Sequence, residues 1–160
     1  MERQLYAYEY VDLDYEAIVG LLEQIPTAIL QPATEAASQH AHEVLSTLVV
    51  PLGGFELARD VKVTVGDVQR VEDTRAKLPL HWSAARHQGL FPEMKAELEI
   101  AALSLDGPIT QVSISGTYVP PAGVVGALGD SLGALHRLAE AAVHRLTEDV
   151  CARLTTEVGR

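Results

Sequence analysis

The chain has 160 residues, 48% of them hydrophobic and 21% charged, which fits one globular domain over 1–160 and excludes disorder as its general state. Its 22 acidic against 12 basic residues leave a net charge of −10, so phosphate backbones are repelled and nucleic acid is not expected as a partner. No apolar run approaches the ~20 residues that span a bilayer, the first residues Met1-Glu2-Arg3-Gln4 hold no apolar signal core, and the single Cys151 can form no internal disulfide; a soluble, cytoplasmic protein is expected.

In chain order, Leu5 to Val11 is rich in Tyr and Val and predicts a strand. Asp12 or Asp14 then caps a helix over Tyr15 to Gln24 whose apolar stripe is Ile18, Leu21, Leu22 and Ile25. From Pro32 to Val44 a second helix is expected, with Ala37, Ala41, Val44 and Leu48 at helical spacing. The period then changes. Leu45 to Leu52, Phe55 to Val65, Thr74 to Ala84, Met94 to Leu105 and Ile109 to Val119 predict strands, separated by Gly53-Gly54, Gly66-Asp67, the Arg86 to Pro92 loop and Asp106-Gly107-Pro108. Three of them alternate: Leu78, Leu80, Trp82 and Ala84 against Lys77 and His81; Met94, Ala96, Leu98 and Ile100 against Lys95, Glu97 and Glu99; Val112, Ile114 and Tyr118 against Gln111, Ser113, Ser115 and Thr117. A meander of antiparallel strands with one wet and one covered face follows. After Pro120-Pro121 a helical pattern runs to about Glu157 through Leu128, Leu132, Leu135, Ala139, Ala142, Leu146, Val150 and Leu154. About 30 helical residues reach about 45 Å, enough to cross the whole sheet.

Strand, helix pair, antiparallel strands and a long closing helix together resemble the helix-grip fold of the START-like (SRPBCC) superfamily, which includes birch-pollen-allergen-like proteins and polyketide cyclases. Two segments carry the resemblance most closely: Asp12-Leu13-Asp14-Tyr15-Glu16-Ala17-Ile18-Val19-Gly20-Leu21-Leu22 after the first strand, and Gly116-Thr117-Tyr118-Val119-Pro120-Pro121-Ala122-Gly123 before the last helix. They look like an actinobacterial-type branch with no settled activity. The resemblance implies an α+β fold, a curved antiparallel sheet wrapped on a long C-terminal helix, with a cavity between them for a small hydrophobic ligand. It implies no particular ligand and no catalytic motif.

Other motifs are weighed against plainer readings. Gly129-Asp130-Ser131-Leu132-Gly133 matches G-x-S-x-G, but a nucleophile elbow needs a strand-to-helix turn on a parallel sheet, whereas Ser131 falls within the helical pattern. The glycines at 123, 126, 129 and 133 lack the G-x-G turn of a phosphate site and read as close packing or flexibility at the helix start. His40 and His42 stand two apart, so on a helix they face different ways, and His81, His87, His136 and His144 show no ligand spacing; no metal and no cofactor are expected. His136 flanks the apolar stripe of the last helix and can serve as a polar anchor, a general base, or a hydrogen-bonded histidine at the core boundary. The candidate ligand-binding residues are Leu80, Trp82, Arg86, Leu98, Ile114, Tyr118, Leu132, Leu135 and His136. Arg86 belongs to a loop, Arg86 to Pro92, suited to the mouth of a pocket. The expected function is binding, carriage or sensing of a small hydrophobic molecule. A cyclase or dehydratase using His136, Tyr118 and Arg86 is the enzymatic alternative, and a scaffold with a filled core, as a monomer or a homodimer, is the third.

Overall fold

The computed structural model describes residues 3–48, 61–84, 93–103, 107–119 and 132–159. Its elements are β1 (Arg3–Val11), α1 (Tyr15–Gln24), α2 (Pro26–Leu48), β2 (Val61–Val65), β3 (Gln69–Glu72), β4 (Arg75–Ala84), β5 (Glu93–Ala102), β6 (Thr110–Val119) and α3 (Leu132–Val158). The strands form one antiparallel sheet in the order β1-β6-β5-β4-β2, with β3 also on β4. An antiparallel sheet, two helices after the opening strand and a long helix at the end make this α+β chain a helix-grip fold.

Local chemistry explains the boundaries. Asp14 has extended backbone and its side chain accepts the Ala17 N–H at 3.3 Å, so it is Asp14 rather than Asp12 that caps α1. The second helix begins at Pro26, well before Pro32, and runs on through Leu48, so Leu45 to Leu48 are helical and not the start of a strand. Pro26 fills the first-turn position where a missing N–H costs nothing, and Leu48 obeys the helical spacing as well as the strand reading. The rest of that expected strand, 49–52, lies outside the described residues, as does the first half of the one expected over Phe55 to Val65.

A strand that alternation does not announce is β3, whose four residues are all exposed. With β2 it forms one interrupted edge along β4. The register steps by one residue between Val65 opposite Leu80 and Gln69 opposite Lys77. Pro79 sits at the break. It has no N–H to exchange, so only the Gly66 N–H to Pro79 O bond, 2.9 Å, crosses there, and the ladder resumes beyond a bulge. A Cβ on Gly66 would lie 3.0 Å from the Pro79 ring.

On the inner face, the register lines residues up in cross-strand rows. One row is Glu9, Val112, Ile100, Ala76; the next Ala7, Ile114, Leu98, Leu78; the next Leu5, Gly116, Ala96, Leu80; the last Arg3, Tyr118, Met94, Trp82. Every residue of these rows on β4, β5 and β6 is buried except Ala96 and Gly116, which are partly so. The helix α3 answers with Ala139, Ala142, Val143, Leu146, Val150, Cys151 and Leu154, a stripe at helical spacing. Its 27 residues make a rod of about 40 Å. Among the described residues the rod's sheet contacts are chiefly with β1 and β6, while α2 lies against α3 and against β2 at the opposite edge. Two helices therefore share the covering of one face.

At Gly116 the sheet comes together unusually tightly. A side chain there would collide with the Lys95 carbonyl oxygen and sit 2.8 Å from the Ala96 Cα, both backbone. Gly116→Ala should therefore cost roughly 1–3 kcal/mol, the overpacking range, in a denaturant titration. Gly20, within α1, has open space around it, and Gly20→Ala should instead stabilise by roughly 0.5–1 kcal/mol. Equal effects at the two positions would show that the approach of β5 to β6 is not tight.

Candidate functional site

The site is built at the end of the sheet where β4 and β6 finish and β1, β2 and β5 begin. Trp82 and Tyr118 lie in the same row, two strands or about 10 Å apart, with Met94 between them. All three are buried, Trp82 at 2% and Tyr118 at 1% exposure. Leu80, Leu98 and Ile114 continue this wall in the neighbouring rows. Period-two alternation along β4, β5 and β6 thus turns every strand residue among the candidates inward.

The helix α3 brings a polar group to this wall. The Tyr118 hydroxyl lies 3.1 Å from Nδ1 of His136, and the two rings stand 6.1 Å apart at 29°. On the far side of the imidazole, Nε2 lies 3.1 Å from the Glu140 carboxylate, one helical turn on. Phenol and imidazole can each donate or accept in the Tyr118–His136 contact, the roles following from which ring nitrogen carries a hydrogen. A chain of three groups thus runs from a buried phenol to a half-exposed carboxylate. Burial pushes the Tyr118 phenol above its ordinary range, opposed by the Arg3 charge and reinforced by Glu140, so the group stands neutral. Arg3 is the direct register partner of Tyr118 on β1.

The remaining candidates are less fully placed. Leu132 opens α3 and Leu135 lies in its first turn, described by backbone alone; Arg86 and Ser131 lie outside the described residues. Tyr118 and His136 come within hydrogen-bond reach of each other, whereas the enzymatic reading asks that both converge with Arg86 on one position, and Arg86 lies outside the described residues. Glu140 is not singled out by the sequence, although its four-residue spacing from His136 on a helix is the signal that pairs them. Of the other histidines, His81 is on the outer face, 2.8 Å from Glu93, and His144 is exposed. Among the described residues no group of three His, Cys, Asp or Glu side chains could hold a metal ion. No helix among them is long and apolar enough to cross a membrane.

No protein-family model matches the sequence, and no curated protein matches it. Solved structures do. Protein TTHA0849 of Thermus thermophilus is 15% identical, with 97% of this chain and 99% of that one covered at a TM-score of 0.46. The Zhui aromatase/cyclase of Streptomyces sp. R1128 is 13% identical, with 99% and 96% covered at 0.42. Ara h 8.0201 is 9% identical, with 98% and 99% covered at 0.42.

Farther along α3, Cys151 is buried, and burial, followed by Glu9 and Glu148, pushes its thiol up to about 12. In the unfolded chain a thiol ionises near pH 8.5, so from there to about pH 12 the unfolded state sheds the proton first and stability falls as pH rises. Comparing Cys151→Ala with the parent protein by denaturant unfolding at about pH 7, 8 and 9.5 should show the parent losing ground only at the higher values. A stability difference independent of pH would contradict the buried thiol.

Proposed function

We propose that the protein binds a small hydrophobic molecule between the sheet and the helices, against the wall formed by Trp82, Met94, Tyr118, Leu80, Leu98 and Ile114. The observation that carries this reading is the Tyr118–His136 hydrogen bond set into that wall. A solely structural core has no need of a titratable ring at its boundary, because a polar group there must be kept paired and gives less than a leucine of the same volume. An apolar wall with one oriented polar anchor is the usual composition of a ligand site. Carriage or sensing then requires nothing further from the chain.

The Tyr118–His136–Glu140 chain also favours a second reading, general acid–base chemistry of the cyclase or dehydratase type. Phenol and imidazole are suited to passing a proton, and the exposed carboxylate orients the ring as the third member of such an arrangement does. A scaffold that fills its own cavity and acts by its surface, as monomer or homodimer, is the outcome that would displace both.

Trp82, the single tryptophan, makes the test direct because its emission reports one place. Titration with a panel of apolar compounds, fatty acids and small polycyclic molecules among them, should shift or quench that emission saturably at micromolar strength and raise the melting temperature. If no compound changes either signal, hydrophobic carriage is the wrong reading and a filled scaffold takes its place.

A further inference from the structure

The two edges of the sheet are built differently. On one side β2 and β3 have only 5 and 4 residues, and the ladder that they share with β4 is interrupted opposite Pro79. Short strands, a proline and a bulge are the usual guards against pairing with another chain. The other edge, β1, carries none of them. Its 9 residues pair with β6 in unbroken register, and among the described residues no strand lies along its other side, so alternate N–H and C=O groups there are free to pair. The outer face of β1 shows Tyr6, Tyr8 and Tyr10, each about half exposed. Its inner face holds two opposite charges, Arg3 and Glu9, and neither forms an ion pair with a described residue. Glu9 is exposed although Ala7, next to it on that face, is buried.

We infer that β1 is the interface of a symmetric dimer, in which it pairs antiparallel with β1 of a second copy about a two-fold axis at Tyr6, joining the two sheets into one. The inference is independent of what the protein binds. An axis normal to the sheet keeps inner faces with inner faces and sets residues equidistant from it opposite one another. With the axis at Tyr6, Arg3 stands opposite Glu9 of the second copy and Glu9 opposite its Arg3, so both charges gain partners at cross-strand distance. Leu5 then faces Ala7, Tyr8 faces Gln4 and Tyr6 faces its own copy. An axis at Leu5 or at Ala7 would set Arg3 against Ala7 or Val11 instead and leave its charge without a partner. Inward-pointing charges on an edge strand ordinarily repel a second strand; these two, opposite in sign and equidistant from Tyr6, select this strand itself in one register. The net charge of −10 opposes association of two copies elsewhere on the surface, so the dimer depends on these two pairs.

Sedimentation velocity from about 1 μM to about 1 mM spans weak and stable interfaces, and the parent chain should pass from monomer to dimer within that range. Arg3→Glu sets glutamate against Glu9 at both ends of the interface and Glu9→Arg sets arginine against Arg3, so either change alone should weaken association by at least about tenfold. Mixed in equal amounts, the two variants should form a heterodimer, because each supplies the charges that the other lacks. The double variant Arg3→Glu/Glu9→Arg should dimerise as the parent does. A melting curve for each variant shows that the fold is kept. Should Arg3→Glu unfold, since it lies beside Tyr118, Tyr6→Lys takes its place: that side chain is 57% exposed, and the change brings two ammonium groups together at the axis and should dissociate the dimer. A parent chain that stays monomeric throughout overturns the inference and leaves the edge to a strand of another protein. A dimer that persists in both Glu9→Arg and Tyr6→Lys, or folded single variants that do not associate when mixed, overturns it as well and assigns any dimer to another face or register.

Discussion

A sheet with one aliphatic face is stable only if something covers that face, and the architecture follows from how this chain supplies the cover. Four rows of side chains run across β1, β6, β5 and β4, and they need an apolar roof wider than one helix. The α3 helix roofs the β1 and β6 side with a stripe of Ala, Val and Leu, and α2 closes toward β2. An exposed clamp ties the helical layer to the sheet at a different point: Arg70 of β3 reaches Glu16 at 2.9 Å and Glu23 at 2.7 Å on α1. Being half in water, that clamp fixes position more than it adds stability.

The same division of labour places the candidate site. Where α3 packs on β1 and β6, its alanines at 139 and 142 allow close approach, and one turn earlier His136 meets Tyr118. The outer face of the sheet follows the opposite rule. Lys77 bridges Glu97 and Glu99 there, and β1 presents Tyr6, Tyr8 and Tyr10 as an exposed aromatic line with ring centroids 5.9 and 5.5 Å apart. Inner aliphatics and outer tyrosines on one strand are the period-two rule at work.

Much of this is legible in the sequence, and the gaps have physical causes. The helix α1, its cap, the long final helix and the strands β4, β5 and β6 are visible because each has a clear period and only one face to bury. The inward placement of Trp82 and Tyr118 follows from alternation alone. The end of α2 is ambiguous because Val44, Leu45 and Leu48 suit either period, and a β-branched pair follows them. The strand β3 escapes notice because all its side chains are exposed, so no alternation in polarity marks it; what holds it is the backbone ladder beyond Pro79. Glu140 escapes for another reason: a glutamate on the wet side of a helix is ordinary until the histidine one turn back is known to hold a buried phenol.

The opening strand has its partners at the far end of the chain, Arg3 beside Tyr118 and the rest of β1 under α3. Such separations make closure slow, since a long loop must be ordered before the contact rewards it. On a ribosome, Leu5 and Ala7 leave the exit tunnel long before α3 has been made. The inner face of β1 then has nothing to bury against for most of synthesis. Folding of this sheet is accordingly a late event in translation, and a chain stopped short of α3 should be held by chaperones or degraded rather than accumulate as a smaller folded unit.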